Sequence, residues 1–297
     1  MHYILLALTD LDKNMQGFKN ILIPTDFSPD APAAIMKALE LIDKEEGVIS
    51  IVHVLRPLFS LFASAGYIVA PVSAILTTRE IEEKFEEYQA IIKEKLNHVQ
   101  VNAIVLKQGS VQKNIIQAAR NLKPDLIIIM KGGNKQRLTF LTTIFPPAIA
   151  RKTGCPVLTI KPGGISTGVK NIVLPIAERV PERKLALAVK LAKKLSAHIH
   201  LVTFPRRRPL ENGPHEAFIE SFIKIKEEVP LMVRYGPLRG NSLAKAALSY
   251  AEFIKADMIL TNTANESSFR TLSGKRHLSD LLLKDSNIHI LDIEPYL

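Results

Sequence analysis

The sequence has no tryptophan and only one cysteine, Cys155. A lone cysteine excludes an intrachain disulfide and is typical of a protein from the reducing cytoplasm. Because an apolar run follows it at residues 156–160, we expect Cys155 to be a small buried side chain and not a nucleophile. The apolar runs are short or interrupted by Pro and Gly, and a membrane-spanning helix needs roughly 20 residues. We therefore expect a cytoplasmic protein with no membrane partner.

The rest of the composition is typical of a globular α/β protein. Hydrophobic residues make up 47% of 297 positions, which fits two domains of ordinary size. The net charge of +10 is compatible with nucleic-acid binding, because basic surfaces attract phosphate. However, the basic residues are spread over both halves, and their one tight cluster, residues 206–208, falls in a predicted loop. A nucleic-acid partner is therefore not expected.

The segment 19–24, KNILIP, returns as KNIVLP at 170–175. Each copy is followed by apolar residues at helical spacing and then by another apolar run. The repeat predicts two tandem domains, with residues 1–16 as an N-terminal appendage in which Met15 is a candidate start. The linker follows the fifth predicted strand, so the domains are residues 17–163 and 164–297.

Predicted strands alternate with predicted helices along both copies. In the first copy, strands are expected at 20–24, 48–54, 101–106, 125–130 and 156–160, and helices at 35–42 (capped by Ser28 or Asp30), 81–96, 111–122 and 143–152. In the second, strands are expected at 172–175, 198–204, 230–233, 257–260 and 288–293, and helices at 182–195, 215–228, 242–254 and 275–283. This alternation predicts an α/β fold with a mainly parallel sheet covered on both faces.

Several short segments resemble the universal stress protein family. They are ILIPTDFS (21–28), PDLIII (124–129) and GCPVL (154–158) in the first half, and NIVLP (171–175) and ADMIL (256–260) in the second. The resemblance implies two tandem doubly wound domains, each a five-stranded sheet of order 3-2-1-4-5 with helices on both faces. It also implies an intrachain pseudo-dimer through the fifth strands. Some members of the family bind ATP.

Nucleotide-binding members share a G-x2-G-x9-G-[ST] pattern after the fourth strand and an Asp at the end of the first. Glycines let the backbone approach phosphates, and the helix that follows offers free amides. In this sequence Asp26 and Gly133 match, whereas the remaining pattern positions are occupied by Met130, Thr143 and Ile144. Residues 146–147, PP, fall in the expected first turn of the helix and have no amide hydrogen to donate. The ATP-binding motif is therefore degenerate.

The resemblance makes Asp26, Val54, Gly132, Gly133 and Thr143 the candidate residues of a remnant ATP site, with Val54 contributing backbone at the end of the second strand. An anion can also be attracted by three cations around the two glycines, with a hydroxyl from Thr142 or Thr143; the cations are Lys131, Lys135 and Arg137. The alternative is a solvated basic loop. We expect the protein to have no cofactor. The alternative is that ATP binds, and then only in the first domain.

In the second half, Ala177 stands where Asp26 does, and no glycine of the pattern remains. The loop positions fall on Thr263, Glu266, Arg276 and His277. Because a glutamate repels phosphate, we predict no nucleotide site in this copy.

Other candidate residues have structural explanations. His198 and His200 alternate on a predicted strand and face the same side, but no third metal ligand follows at a suitable spacing, so no metal site is predicted. His53 lies at the end of the second strand, close to the expected cleft. Asp125 and Asp257 each precede a buried strand, where turn formation explains them.

The connection 56–76 is unusually apolar for a loop. Exposed, it would be a contact surface for a protein partner; alternatively, it packs over the first domain or against the second copy. Homo-oligomerisation is a further option.

The functional prediction is a non-enzymatic cytoplasmic stress-response or scaffold protein with a remnant nucleotide cleft in its first domain. The alternative is an ATP-binding regulatory switch that uses this cleft. No enzyme is expected, because residues 25–29 follow the first strand without the glycine-rich loop that a related ATP-cleaving enzyme requires.

Overall fold

A computed structural model describes most of the chain. The described residues are 17–55, 76–106, 109–131, 141, 144–161, 168–177, 179–203, 216–229, 233–238, 242–263, 268–271, 274–282 and 286–295. The predicted appendage 1–16, nearly all of the apolar connection 56–76 and the basic cluster 206–208 lie outside them. No helix in the described ranges combines the length and the apolar character needed to cross a membrane.

In the first half, helices and strands alternate as predicted. The elements are β1 (Asn20–Thr25), α1 (Pro32–Leu41), β2 (Val48–Val54), α2 (Thr78–Lys95), β3 (Gln100–Leu106), α3 (Val111–Leu122), β4 (Leu126–Met130), α4 (Pro146–Thr153) and β5 (Val157–Ile160). The prediction that Ser28 or Asp30 caps the first helix is wrong. Ala31 is the residue before α1 and makes no side-chain capping bond, and Pro32 begins the first turn, where its missing amide costs nothing.

The second half repeats the alternation up to its fourth strand. Its elements are β6 (Asn171–Pro175), α5 (Glu182–Leu195), β7 (His198–Thr203), α6 (Glu216–Glu228), β8 (Val233–Pro237), α7 (Leu243–Phe253), β9 (Met258–Asn262), β10 (Ser268–Thr271), β11 (Gly274–His277), a 3-10 helix (Leu278–Asp280) and β12 (His289–Ile293). The strand expected at 230–233 is described from Val233 onwards, and residues 230–232 lie outside the described residues.

The helix expected at 275–283 is wrong. An antiparallel pair, β10 and β11, precedes a single 3-10 turn there, with Thr271 opposite Gly274 and Ser268 opposite His277. Cross-strand pairing satisfies the backbone of residues 274–277 instead. Short-range periodicity could not reveal this pairing.

One ten-stranded sheet runs through both halves, in the order β3-β2-β1-β4-β5-β12-β9-β6-β7-β8. β5 and β12 pair antiparallel, with Leu158 opposite Leu291, and the other neighbouring pairs in this sheet are parallel. Because the sheet is continuous, it does not by itself divide the chain into two five-stranded domains. The boundary at residues 163 and 164 stays a prediction.

The buried core follows the alternation of side chains along the strands. On β1, Ile21 and Ile23 enter one apolar cluster and Leu22 enters another, because successive residues face opposite sides of a sheet. The first cluster extends across both halves beneath α1, α2, α5 and α6. The opposite face has separate clusters under α3 and α4 and under α7. Cys155 is buried in the cluster under α3 and α4, as expected.

In each half, an aspartate accepts backbone amides at the start of the first strand. The two carboxylate oxygens of Asp125 accept the backbone amides of Lys19 and Asn20 at 2.8 and 3.0 Å. One oxygen of Asp257 accepts the amides of Lys170 and Asn171 at 2.8 and 2.9 Å. The repeated Lys-Asn and Asp positions therefore form the same contact twice, a cross-strand role beyond the turn formation that we predicted for the aspartates.

Side chains add contacts between the halves. The backbone amide of Val169 donates to Glu40 Oε1 at 3.2 Å, and Lys194 Nζ donates to the carbonyl oxygen of Ile42 at 3.1 Å. The guanidinium of Arg183 on α5 donates to the carbonyl oxygens of Gly154 and Glu294. These polar contacts flank the β5–β12 pairing.

Candidate functional site

The candidate site lies at the carboxyl ends of β1, β2, β4 and β5. β1 pairs with β2 on one side and with β4 on the other, so the strand order changes direction at β1. In open α/β sheets, ligands bind at such a change in strand order. Asp26 comes directly after β1 and is half-buried, and Val54 is the buried last residue of β2. The structure thus places these two predicted residues at the expected edge.

A tight turn follows β1. Asp26 Oδ1 accepts the backbone amide of Ser28 at 3.0 Å, and Thr25 Oγ1 accepts the amide of Phe27 at 3.1 Å. Phe27 has a φ of 53°, in the left-handed region that non-glycine residues seldom adopt. The turn therefore uses Asp26 for its own backbone and directs Phe27 towards the strand ends.

Aromatic side chains fill the space beside the ends of β1 and β2. The Phe27 ring stacks on His53 with centroids 4.7 Å apart and packs at 5.1 Å against Phe85 and 5.7 Å against Tyr88. His53 Nδ1 also lies 3.0 Å from the carbonyl oxygen of Thr25. Burial raises the pKa of Tyr88 to about 12. His53, predicted to lie near the cleft, is thus packed within this group of side chains.

The start of α4 has no free backbone amide among residues 145–148. Pro146 and Pro147 occupy its first positions, as predicted, and neither has an amide hydrogen. The amide of Phe145 donates to Gln112 Oε1 at 2.9 Å, and that of Ala148 donates to the carbonyl oxygen of Phe145 at 3.0 Å. Helix N-termini bind anions through free amides, and these amides are absent or already bonded.

The other three predicted residues of the candidate ATP site belong to the connection between β4 and α4. Gly132, Gly133 and Thr143 lie outside the described residues, as do Lys135, Arg137 and Thr142. Ile144, which stands in place of the motif's hydroxyl residue, is buried in the cluster under α3 and α4.

One lysine directly follows β4, and another directly follows β5. Lys131 and Lys161 are both largely buried. Lys131 Nζ lies 2.9 Å from Asp280 Oδ1, which belongs to the 3-10 helix of the second half. Burial opposes ionisation of Asp280, but the charge and hydrogen bond of Lys131 hold its pKa below the usual value. Burial, helped by the charge of Lys131, lowers the pKa of Lys161.

The second half contains a buried serine, histidine and aspartate next to this edge. His277 Nδ1 lies 2.5 Å from Ser279 Oγ and accepts the Ser279 amide at 3.2 Å. His277 Nε2 lies 2.9 Å from Asp292 Oδ2 on β12, although neither atom has a hydrogen-bond partner among the described residues. All three residues have zero exposure and are packed between the end of β11, the 3-10 helix and β12. The His277 ring also contacts Phe145 edge-on.

At the end of β6, the chain fills the position that a ligand would need. Lys184 on α5 is completely buried, and its ammonium donates to the carbonyl oxygen of Pro175. Thr263 Oγ1 donates to Glu294 Oε2 at 2.7 Å. Glu266 lies outside the described residues, as does the side chain of Arg276.

The histidines on β7 show packing contacts. His200 Nδ1 lies 3.2 Å from the Tyr250 hydroxyl, and Nε2 lies 3.3 Å from Asn171 Oδ1. Within the described ranges, no group of three or more His, Cys, Asp or Glu side chains is placed to hold a metal ion.

Comparison with known proteins identifies the first half. The model of the universal stress protein family matches residues 17–161, which contain β1 to β5 and most of the site. Residues 17–161, just under half of the chain, therefore belong to the universal stress protein family. No curated protein matches the sequence.

Solved structures extend the similarity of fold to both halves. A universal stress protein from Archaeoglobus fulgidus DSM 4304 is 16% identical, with a TM-score of 0.60, 94% of this chain covered and 97% of that chain. A putative universal stress protein from Pseudomonas aeruginosa UCBPP-PA14 is 15% identical, with a TM-score of 0.55 and 94% of each chain covered. The cytoplasmic domain of a prokaryotic cation chloride cotransporter is 16% identical, with a TM-score of 0.52, 93% of this chain covered and 96% of that chain. At these identities the similarity concerns the fold alone.

Sequence reasoning missed several residues of this site. Gln112, Lys161 and Asp280 were not singled out, although Lys131 was. Asp280 is 149 residues from Lys131 along the chain, and Gln112 is 33 residues from Phe145. No local pattern signals such pairs; only the repeat offers a clue, because it aligns the fourth-strand loops of the two halves.

Proposed function

We propose that this universal stress protein acts in the cytoplasm as a non-enzymatic stress-response or scaffold protein, and that its first half keeps a remnant of a nucleotide cleft. The observation that carries the proposal is the start of α4. Pro146 and Pro147 supply no amide hydrogens there, and the amides of Phe145 and Ala148 are bonded within the protein. A triphosphate would lack the backbone donors that helix starts otherwise provide.

Contacts from the second half support the same proposal. Asp280 places a carboxylate 2.9 Å from Lys131, the cation nearest the end of β4. A bound phosphate would be repelled by Asp280 or would have to displace it. The cleft is thus occupied in part by the chain's own charge, which suits a scaffold that works without ATP.

An ATP-binding switch is the second candidate. It is favoured by the half-buried Asp26 at the end of β1 and by the basic pair Lys131 and Lys161 at the ends of β4 and β5. In this alternative, Asp26 and the backbone of Val54 would contact the nucleoside, and Gly132, Gly133 and Thr143 would approach the phosphates.

Calorimetric titration with ATP and magnesium separates the two candidates. A scaffold should give no binding heat up to millimolar ATP. Micromolar binding that is lost in Asp26→Ala and kept in the matched control Asp30→Ala would contradict the scaffold proposal and favour the switch. The variant Asp280→Asn sharpens the result, because removal of the competing charge should strengthen any phosphate binding several-fold.

A protein partner is also part of the proposal, with the apolar segment 56–76 as its contact. Deletion of residues 59–69 should reduce partner capture or self-association while the circular dichroism spectrum stays unchanged. Identical sedimentation and pull-down profiles for the deletion and the intact protein would contradict this role of the segment.

A further inference from the structure

A cavity of about 660 Å³ opens between the two halves, at the edge of the sheet opposite the site described above. Phe18, Asp125 and Pro156, which line it, precede β1, β4 and β5 respectively. Its other wall is α5 of the second half. The cavity is therefore separate from the carboxyl ends of β1, β2, β4 and β5, and it exists only where the halves meet.

The charge in this cavity is strongly unbalanced. Its cationic side chains are Arg120, Lys123, Arg183 and Lys190, and its acidic side chain is Asp125. Both carboxylate oxygens of Asp125 already accept backbone amides. The cavity thus offers an excess of positive charge to an incoming molecule.

Arg183 is held in place at the boundary of the halves. One of its terminal nitrogens donates to the carbonyl oxygen of Glu294 at 3.0 Å, and the other donates to that of Gly154. A guanidinium has five N–H donors, so these two bonds leave others for a ligand. Fixing the side chain in advance lowers the entropy cost of binding an anion.

An apolar surface accompanies the charges. The Phe18 side chain is buried at the base of α5, and Lys190 Nζ lies 4.8 Å from its ring centroid. Leu187, Ala186 and Ala119 line the cavity nearby. A ligand that matches this lining has an apolar body next to its negative group.

Helix ends explain only part of the positive charge. Arg120 lies in the last turn of α3, where a cation complements the helix dipole. Lys190 lies in the interior of α5, away from both of its ends, so the dipole does not account for it.

We propose that this cavity binds a small organic anion. The phosphate, sulfonate or carboxylate group of the ligand lies among Arg120, Arg183 and Lys190, and its apolar part covers Ala186 and Leu187. Binding at this place contacts both halves at once and stabilises their pairing through β5 and β12. The inference does not depend on the proposed function of the carboxyl-end site.

Fluorescence titration with 1-anilinonaphthalene-8-sulfonate, an apolar ring system with one sulfonate, tests the proposal on the full chain. We expect saturable binding at one site that weakens at least tenfold in Arg120→Glu and in Lys190→Glu. Lys113→Glu is the matched control, because this exposed residue of α3 makes the same charge change outside the cavity. The control should bind within twofold of the unchanged protein.

Competition distinguishes the chemistry of the ligand. Phenyl phosphate should displace the probe at lower concentration than inorganic phosphate, because only the former has an apolar ring to cover Leu187. Equal weakening in Lys113→Glu, or no saturable binding, would overturn the proposal. If Lys190→Glu shows no thermal unfolding transition, Lys190→Gln replaces it in the test. Lys190→Gln should bind the probe at least threefold more weakly, and unchanged binding would count against the site.

Discussion

The two halves share a fold but differ at the ends of their central strands. In the first half, the ends of β1 and β2 are packed with the aromatic rings of Phe27 and Phe85 around His53. In the second half, the buried ammonium of Lys184 donates to the carbonyl oxygen of Pro175 at the end of β6. His277 Nε2 lies 2.9 Å from Asp292 Oδ2 on β12. The starts of β1 and β6 have nearly identical contacts instead. The repeat thus keeps the contacts that build the sheet and varies the edge where ligands bind in such folds.

The largest expected difference between the halves concerns their buried histidines. His277→Ala should lower the free energy of unfolding by about 3 kcal/mol, because it removes a fully buried ring that lies 2.9 Å from the buried carboxyl group of Asp292. His53→Ala in the first half should cost less, about 2 kcal/mol, since it removes the contact to the Thr25 carbonyl and the stacking on Phe27, neither of which involves a buried carboxyl group. Urea unfolding followed by far-UV circular dichroism measures both.

The double variant His277→Ala with Asp292→Asn provides the control for this difference. It should cost less than the sum of the two single changes, because the pair is coupled. Equal losses for His53→Ala and His277→Ala would remove the contrast between the halves.

Acid should destabilise the protein through histidines of the second half. Burial, together with the charge of Arg234, lowers the pKa of His200 to about 4, and burial with the charge of Lys37 lowers that of His289 to about 3. Their ordinary value is about 6.5. Because the folded protein disfavours the protonated rings, the stability they contribute is complete above pH 6.5 and is lost as the pH falls towards 4 and 3.

Urea unfolding at pH 7 and pH 5 checks this expectation. The unchanged protein should lose roughly 4 kcal/mol between these values, about 2 kcal/mol for each ring, and His200→Gln should lose roughly half of that, because it removes one of the two titrating rings. The same loss in both proteins would show that His200 does not carry the pH dependence.

The smallest expected difference is between the two aspartates at the starts of the central strands. Asp125→Ala and Asp257→Ala each remove the acceptor of two backbone amides, so each should cost about 1 to 2 kcal/mol. The costs should be equal and should add in the double variant, because the sites do not touch. Thermal unfolding of the three variants measures them, and a neutral effect of either one would show that the repeated contact stabilises only one half.

Much of the fold could be predicted because its signals are local. The apolar runs that became β1, β4 and β9 are bounded by turn formers, and the helical spacing of Ile81, Phe85 and Tyr88 matches the buried face of α2. The position of the prolines at the start of α4 could also be predicted, since proline is tolerated in the first turn of a helix but not in its interior.

The wrong expectations were local, at the cap of α1 and at the hairpin of β10 and β11, whereas the missed contacts pair distant segments. The hairpin of β10 and β11 replaces an expected helix because cross-strand bonds outweigh a weak helical pattern. The amide of Phe145 is bonded by Gln112 from another helix, and Lys131 is paired by Asp280 from the other half. Residues that meet only after folding leave no pattern along the chain.

By itself, the sequence determined that the segment KNILIP returns as KNIVLP and that Met130 and Thr143 stand where the nucleotide-binding pattern has glycines, because both depend on neighbouring residues. Only the tertiary structure decided that the halves share one sheet, that Asp280 faces Lys131, and that Arg183 closes a basic cavity between them. The physical reason is that backbone conformation is set largely by local sterics and periodicity, whereas charges and cavities depend on which surfaces the packed core brings together.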